Sequence, residues 1–368
     1  MDTLVAIANQ FTFQGRVVEI QEFGNGNINR TFRVTLEGAE ARHFILQQIN
    51  TQVFRQPEQV MQNMCIFTQH ARQRLQATPL ATGRRWQVPC VLPTRDDRNC
   101  WFDVKERVWR AIEYIEGVRS FDTVQNRNLG QEIGIALGTF HWLLSDLPVE
   151  RLADTLPGFH ITPDYLQHYD AVQQTRPTRE VATAEVEYCL QFVRDRRNLV
   201  PVLENARAAG KLQLRPIHGD PKINNILIDT TTGQAVSMVD LDTVKPGLIH
   251  YDIGDCLRSG CNPLGEETPN WQTVRFDLDL CETILQGYLS VASTFLTAND
   301  RHYLYDAMRL IAFELGLRFL TDYLEGNVYF KVNYPENNLA RALVQFKLTE
   351  SIESQEGRIR QLIRSLSH

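Results

Sequence analysis

The chain has 368 residues, of which 43% are hydrophobic and 22% charged, and its net charge is −6. This composition is typical of a globular protein, and the length allows a large core and suggests two domains or lobes. The negative charge argues against a nucleic acid as the main partner, because binding to one depends on neutralising its phosphates.

The N-terminus and the cysteines favour a cytoplasmic protein. The start, MDTLVAIANQFTFQG, lacks a basic segment followed by a long apolar run, so we predict no signal peptide. The longest apolar helices contain charges, as in RLIAFELGLRFLTDYLE, which argues against a membrane span. Seven cysteines with no CxxC pair fit free thiols in a reducing compartment.

Residues 1–116 alternate short β-type runs with turns, and one helix interrupts them. The helix begins near Pro57 and has its apolar residues on one face, namely Val60, Met64, Phe67 and Ala71. From residue 117 the pattern changes to long helices. The first of these has Ile133, Leu137, Phe140 and Leu144 in helical register, and further periodic segments follow at roughly 180–209, 273–293, 300–325 and 337–367.

This order of elements predicts an α+β protein of two parts. We expect a small β-rich N-terminal lobe at 1–116 and a larger, mainly helical C-terminal lobe at 117–368. The Pro-rich segment 148–180 is expected to be an irregular connection over the surface.

A hairpin in the helical part is predicted to collect polar side chains at its open end. The β-type runs 226–228 and 236–239 flank the turn sequence DTTTGQ. In an antiparallel pair centred on that turn, Asn225 and Asp240 lie side by side at the open end. Asp220 precedes Asn225 by five residues, in the loop GDPK, whose proline discourages a helix.

These side chains suit phosphoryl transfer. Asn225 and Asp240 offer hard oxygen ligands to Mg²⁺ with bound phosphates. Asp220 is then left to orient a substrate hydroxyl and accept its proton. An isolated Asp–Asn pair is common in hairpins with polar ends, but the string from His218 through Asn225 followed by VDLD is far more specific.

Six segments spread over most of the chain match a known family. They are GNGNINRTFRV (24–34), FILQQIN (44–50), HGDPKINNILID (218–229), VDLDTVKPG (239–247), YDIGDCLRSG (251–260) and LRFLTDYLEGNVYFK (317–331). The chain resembles the aminoglycoside phosphotransferase and choline kinase superfamily, relatives of the protein kinases, and within it the N-acetylhexosamine 1-kinase group. The resemblance implies a bilobal protein-kinase-like fold that uses ATP and Mg²⁺.

The resemblance also implies roles for the residues around the hairpin. Asp220 would be the catalytic carboxylate, Asn225 and Asp240 would hold Mg²⁺, and His218 would support the loop. Lys222 matches the γ-phosphate-contacting lysine of protein kinases, with a solvated loop lysine as the alternative.

Asp242 follows Asp240 by two positions and would face the same side in a strand. It is a candidate for a ligand of a second metal ion, or for a residue that orients the first metal's ligands without touching the metal. The alternative is that it only supports the loop.

The nucleotide would lie under the first hairpin. Gly24, Asn25, Gly26 and Asn27 would form the loop that covers the phosphates. The superfamily usually has a lysine on the third strand that pairs the α- and β-phosphates with a helix glutamate, whereas this chain has Gln47.

Because glutamine carries no charge, neutralisation of the phosphates must then come from Mg²⁺ and other groups. The backbone around Glu113 to Ile115 would pair with the adenine edge.

The acceptor would lie beside the segment LGLRFLTDYLEGNVYFK. Arg318 and Tyr329 match positions that contact the sugar in the N-acetylhexosamine 1-kinases; the alternatives are an ion pair for the arginine and a core position for the tyrosine. Ser259 stands where that group often has a bulkier residue, and Asn27 is a further candidate for the same pocket.

The spacing around the hairpin predicts a kinase, and the resemblance implies that its acceptor is the anomeric hydroxyl of a hexose or N-acetylhexosamine. One alternative is a phosphotransferase for an aminoglycoside, a choline-like amine or another small alcohol, although the basic C-terminal end and Arg318 count against a cationic acceptor. A different class, a nucleotide-binding regulator without turnover, is suggested by Gln47.

Overall fold

A computed structural model describes residues 2–24, 28–38, 42–80, 83–175 and 183–366. The N-terminal region holds α1 (Asp2–Ala8), β1 (Arg16–Glu22), β2 (Arg30–Glu37), β3 (His43–Ile49), α2 (Pro57–Ala77), β4 (Val91–Leu92), β5 (Trp101–Phe102) and β6 (Val108–Glu113).

The C-terminal region is mostly helical. It holds β7 (Val118–Arg119), α3 (Arg127–Leu144), α4 (Thr162–Thr175), α5 (Ala184–Arg196), α6 (Val202–Ala208), β8 (Arg215–Ile217), β9 (Ile226–Asp229), β10 (Ala235–Met238), β11 (Lys245–Gly247), α7 (Ile249–Gly260), α8 (Leu278–Ala292), α9 (Ala298–His302), α10 (Leu304–Leu324), α11 (Asn337–Ser354) and α12 (Glu356–Ser365). The predicted α+β architecture, with a β-rich N-terminal part and a helical C-terminal part, is confirmed.

The N-terminal sheet is antiparallel, with strands in the order β1-β2-β3-β6-β4, and β5 also pairs with β6. Side chains alternate across it, so Phe44 and Leu46 of β3 enter a core with α1. Gln47 lies on the opposite face, directly across from Arg110 of β6. The sheet therefore presents two polar side chains toward the rest of the molecule.

The predicted helices at 57 and 127 are confirmed, and the apolar faces of both are buried. One expectation is wrong: the segment 148–180 contains α4, which packs on α10. Only Thr162 and Tyr169 of that helix are buried, so its sequence shows little helical periodicity.

None of the helices in the described part of the chain combines the length and apolar character needed to cross a bilayer. The seven cysteines, all at described positions, are free thiols.

Helices α3 and α8 are in close contact through glycines. A Cβ atom on Gly134 would lie 1.9 Å from the carbonyl oxygen of Ile284, and one on Gly287 would lie 2.1 Å from that of Gln131. The two backbones can approach this closely only because these positions lack side chains. The contact places α3 against the core below the hairpin β9–β10.

We expect Gly134→Ala to lower the free energy of unfolding by about 1–3 kcal/mol or more, because the added methyl group overlaps backbone that cannot move aside cheaply. Gly357→Ala is the matched control, since no atom lies within 4 Å of a Cβ built there. Urea unfolding should show the control unchanged or slightly more stable. Equal stability of the Gly134 variant would contradict the close contact.

Candidate active site

The hairpin forms with the predicted arms but in a different register. Met238 pairs with Ile226, and a bulge lies between Ala235 and Ser237. Val239, and not Asp240, is opposite Asn225, to whose carbonyl its N–H donates at 2.9 Å. The predicted side-by-side pairing of Asn225 with Asp240 is therefore wrong by one residue.

The turn is shorter than predicted because Asp229 organises it. Its N–H donates to the Gln234 carbonyl at 2.8 Å, and its side chain accepts from the N–H groups of Thr231 and Thr232, both at 2.9 Å. Relative to the predicted register, this turn shifts the strand pairing by two residues. The bulge then compensates for one of the two.

Asp240 still comes directly after the open end of the hairpin. It has a left-handed backbone, with φ of 65°, and precedes a single 3₁₀ turn at Leu241–Thr243. The expectation that Asp242 faces the same side as Asp240 in a strand is therefore wrong. The left-handed residue turns the chain, and Asp242 becomes buried while Asp240 stays open to solvent.

The loop before the hairpin brings three predicted residues together. Lys222 Nζ donates to Asp220 Oδ2 at 2.6 Å. The side-chain amide nitrogen of Asn225 donates to the Asp220 carbonyl at 2.7 Å and more weakly to Asp220 Oδ2, at 3.3 Å. Because its nitrogen is used in this way, Asn225 has its amide oxygen left for a cation.

The charges around Asp240 favour a bound cation. Protein packed around this solvent-accessible carboxylate disfavours its charged form, and with Asp242 and Asp220 it raises the pKa of Asp240 to about 6, against the opposing effects of Lys222 and Arg110. Among the described residues, no three His, Cys, Asp or Glu side chains converge on one point. The donor set of one carboxylate and one amide oxygen fits Mg²⁺, which usually takes one or two protein ligands together with substrate phosphates.

His218 is completely buried and lies behind this loop. Its Nε2 is 3.0 Å from the Val239 carbonyl oxygen, which its N–H can reach, and burial lowers the pKa of the ring. The ring also packs on Phe140, with centroids 5.1 Å apart. These contacts suit the predicted supporting role.

Asp252 was given no role in the sequence analysis, although it lies in the matching segment YDIGDCLRSG. Its carboxylate accepts from the backbone N–H groups of His218 at 2.7 Å and Gly219 at 2.8 Å, and it lies 2.9 Å from His141 Nε2. Burial opposes the charged form, but these donors win and lower the pKa of Asp252.

Gly219 itself admits no side chain, since it has φ of 86° and a Cβ there would lie 2.7 Å from the Thr243 carbonyl oxygen. The loop that carries Asp220 is therefore fixed by the buried carboxylate of Asp252 and by the glycine at 219.

A second buried pair supports the same loop from the other side. His160 Nε2 lies 2.8 Å from the Gly219 carbonyl, and its Nδ1 lies 2.8 Å from Glu314. Thr162 donates to the other oxygen of Glu314 at 2.7 Å. No spacing in the sequence indicates this contact, because its members are up to 154 residues apart.

The nucleotide-side residues are only partly brought together. Gly24 has φ of 75°, as a loop glycine can adopt, and the predicted contacts Asn25, Gly26 and Asn27 lie outside the described residues. Gln47 makes hydrogen bonds to Arg110, whose guanidinium also forms an ion pair with Asp242. Arg110 was not identified from the sequence.

Glu113 and Ile115 line a groove of about 740 Å³ together with residues of β3, α2 and the segment 86–88. The backbone N–H of Glu113 already donates to the Cys90 carbonyl at 2.8 Å. The lining of this groove includes none of the hairpin residues. The contact of these two residues with adenine stays a prediction.

On the acceptor side, Arg318 is surrounded by aromatic rings. Its guanidinium carbon lies 4.9–5.9 Å from the ring centroids of Phe159, Tyr165, Tyr329 and Phe330. Burial disfavours the charged form of this guanidinium, but Tyr165 and Tyr329, followed by Glu314 and Asp220, raise the pKa of Arg318. Within the described ranges, no carboxylate forms an ion pair with this arginine, so the alternative of an ion pair on a helix is not what the structure shows.

Tyr329 is half exposed and lies on a loop that Asp322 fixes. The Asp322 carboxylate accepts from the backbone N–H groups of Val328, Tyr329 and Phe330 at 2.7–2.9 Å. Tyr329 is therefore no core aromatic, and its ring centroid lies 5.9 Å from the guanidinium carbon of Arg318. The Ser259 hydroxyl accepts weakly from the Ile223 N–H at 3.3 Å.

A sequence model described as the phosphotransferase enzyme family matches residues 19–288 of the chain. Several solved structures share the fold over almost the whole length. A microcompartment-associated aminopropanol kinase is 18% identical, with 97% of this chain and 98% of that one covered and a TM-score of 0.62. A choline kinase from Cryptosporidium parvum Iowa II is 14% identical over 98% and 97% of the two chains, with a TM-score of 0.61.

An amicoumacin kinase in complex with AMP-PNP and Ca²⁺ is 14% identical over 96% of this chain and 93% of that one, with a TM-score of 0.61. At these identities the likeness shows the fold, and the predicted protein-kinase-like architecture is confirmed. The narrower resemblance to the N-acetylhexosamine 1-kinase group stays a prediction.

We expect Asp252→Asn to lower the free energy of unfolding by roughly 3–5 kcal/mol, as for loss of one partner in a buried charge network. In the wild-type protein each oxygen of this carboxylate accepts from a backbone N–H. In the variant the amide nitrogen would replace one of these oxygens and would face an N–H group that it cannot accept from. Because the pKa of Asp252 is lowered by folding, this stabilisation is present at neutral pH and is lost as the pH falls through the folded pKa.

Urea unfolding at neutral pH measures the effect. The control is Asp170→Asn, which removes an exposed pair with Arg197 and should cost at most about 1 kcal/mol. If the two variants lowered the free energy of unfolding by similar amounts, the conclusion that Asp252 fixes the loop before Asp220 would be contradicted.

Proposed function

Since the chain belongs to the phosphotransferase enzyme family, we propose that it is a small-molecule kinase that uses ATP and Mg²⁺ to phosphorylate a sugar. The proposed acceptor is the anomeric hydroxyl of a hexose or N-acetylhexosamine. The observation that carries the proposal is the convergence of Asp220, Lys222 and Asn225 at the base of the hairpin, next to the electrostatically crowded Asp240.

In the proposed reaction Asp220 accepts a hydrogen bond from the acceptor hydroxyl and takes its proton. The hydroxyl oxygen forms a bond to the γ-phosphorus as the bond from that phosphorus to the oxygen of ADP breaks. Lys222 places a positive charge beside Asp220, where the transferred group would lie. Asn225 and Asp240 would hold Mg²⁺, which when bound neutralises charge on the phosphates.

The surroundings of Arg318 support an uncharged or anionic acceptor. Aromatic faces attract cations, and a ligand ammonium often binds in such an enclosure. Here Arg318 already occupies it. An acceptor amine would meet a fixed positive charge, whereas ring hydroxyls could accept hydrogen bonds from the guanidinium.

The choice of the 1-hydroxyl rests on resemblance and on chemistry. Arg318 and Tyr329 match sugar-contacting positions of the N-acetylhexosamine 1-kinases, and the anomeric hydroxyl is the most acidic on the ring. Ser259 and Asn27 are proposed to contribute to the same pocket. We further propose that the N-terminal lobe comprises residues 1–116 and the C-terminal lobe residues 117–368. We also propose that the enzyme is cytoplasmic, in keeping with its free thiols.

A screen of ADP release with ATP and Mg²⁺ tests the acceptor class. The acceptors are hexoses, N-acetylhexosamines, aminoglycosides, choline and aminopropanol. Release that depends on a hexose or N-acetylhexosamine, with a sugar 1-phosphate as product by ³¹P NMR, is expected. A phosphate on the 6-position or a best acceptor that carries an amine would refute the sugar 1-kinase, and binding of ATP without turnover would indicate a regulator.

We expect Asp220→Asn to reduce turnover by at least a hundredfold while the affinity for ATP changes little, because the variant removes the proton acceptor and keeps both proposed metal ligands. Asn225→Ala is the contrasting variant, and it should weaken the binding of ATP in the presence of Mg²⁺. Steady-state kinetics and calorimetric titration separate the two effects. Turnover of the Asp220 variant within tenfold of wild type would refute its catalytic role.

Arg318→Ala should reduce kcat/KM for the sugar by about 10- to 150-fold, the range for loss of a hydrogen bond to a charged group. The KM for ATP should stay nearly unchanged. Arg309→Ala is the matched control on the same helix, since that arginine pairs with Asp306. A larger effect on the KM for ATP than on kcat/KM for the sugar would contradict the placement of Arg318 in the acceptor pocket.

A further inference from the structure

Arg110 lies directly beside the strand position at which the superfamily usually has a lysine. Gln47 occupies the position on β3 where a positive charge is usual in the superfamily that the chain resembles. Arg110 stands directly opposite on β6, and its side chain is 1% exposed. We propose that Arg110 provides the positive charge for the α- and β-phosphates of the nucleotide. This inference rests on the proposed kinase function.

Gln47 acts in this arrangement as the group that orients the arginine. Its amide oxygen accepts from Arg110 Nε at 2.9 Å and from Nη2 at 2.8 Å, and its amide nitrogen donates to Thr31 Oγ1 at 2.9 Å. Both ends of the amide are therefore used by protein. Glutamine is suited to this position because it offers the guanidinium an acceptor without neutralising its charge.

The carboxylate partner of Arg110 comes from the hairpin region and not from α2. On the α2 side, Nη1 lies 3.8 Å from the sulfur of Met61 and 3.9 Å from that of Met64. These sulfurs are weak acceptors. Nη1 forms its ion pair with Asp242, which is 2% exposed. A buried guanidinium stays charged, so its position is determined by the carboxylate that balances it.

Asp242 also links Arg110 to the loop that would cover the phosphates. Its Oδ2 accepts from the side-chain amide of Asn29 at 2.5 Å, and the amide oxygen of Asn29 accepts from the Asn50 N–H at 2.9 Å. Asn29 follows the glycine-containing loop after β1, and Asp242 lies two residues after the proposed metal ligand Asp240. Asp242 thus joins Arg110 to Asn29, just before β2, and Arg110 lies near the proposed metal ligand, where a kinase nucleotide places its phosphates.

One further fact favours a phosphate contact over a purely supporting role. A guanidinium has five N–H donors, of which Gln47 accepts from two. The remaining partners of Arg110 are the ion pair with Asp242 and the weak sulfur acceptors beside Nη1. Asp242 has both oxygens engaged by Arg110 and Asn29, so we assign it to positioning these groups and not to direct metal binding.

Calorimetric titration with ATP, ADP and adenosine, each with Mg²⁺ and with EDTA, tests the inference. Arg110→Met should weaken the binding of ATP and ADP at least tenfold in both conditions and leave adenosine within about twofold, since one phosphate-directed charge is lost. Arg107→Met is the control, because Arg107 pairs with Asp103. Equal losses for adenosine and ATP, or no loss for ATP, would overturn the inference.

The double variant Gln47→Lys/Arg110→Met returns the charge to β3 and keeps the test valid if the single variant does not fold. We expect it to recover most of the preference for ATP over adenosine. A folded double variant without that preference would refute the proposal that Arg110 on β6 supplies the charge that the superfamily usually places on β3. If wild-type protein binds no ATP, the proposed kinase function fails; if it binds ATP and the Arg110 variant binds equally well, only this inference fails.

Discussion

The buried carboxylate of Asp252 is the constraint on which the candidate site depends. It accepts from two consecutive backbone N–H groups, those of His218 and Gly219, and thereby fixes the chain just before Asp220. Because phosphoryl transfer depends mostly on positioning, a fixed loop is the main contribution the scaffold can make. Asp252 comes from α7, so the helical region determines where the carboxylate of Asp220 lies.

The charge balance around this loop supports the proposal that a metal ion and a nucleotide bind there together. The carboxylates of Asp220, Asp240 and Asp242 face two cations, Lys222 and Arg110. Together with the surrounding protein, which disfavours the charged form, the excess negative charge raises the pKa of Asp240 to about 6. A divalent cation at Asp240 would relieve this repulsion, and it would then require anionic phosphates to balance its own charge.

The sequence predicted the local features well. The arms of the hairpin, the buried faces of α2 and α3 and the grouping of Asp220, Lys222 and Asn225 all follow from patterns within about twenty residues. The register of the hairpin was missed by one residue because the turn held by Asp229 is shorter than its composition suggests and the bulge compensates for only part of the shift. Helix α4 was missed because little of it is buried.

Contacts between distant segments could not be predicted from a single sequence. Arg110 meets Gln47 across 63 residues, and His160 meets Glu314 across 154. Each pair depends on strand order or helix packing, which no local spacing reveals. Gln47 taken alone suggested a regulator without turnover, and only the strand pairing shows that a positive charge, that of Arg110, lies directly beside it.

The most direct test of the central claim is a crystal structure with AMP-PNP and Mg²⁺. The account predicts a metal ion bound by Asn225 Oδ1 and Asp240, with the γ-phosphate facing Asp220 and Lys222. A nucleotide bound with its phosphates away from the hairpin, for example in the groove lined by Glu113 and Trp86, or a metal ion that contacts neither Asn225 nor Asp240, would contradict it.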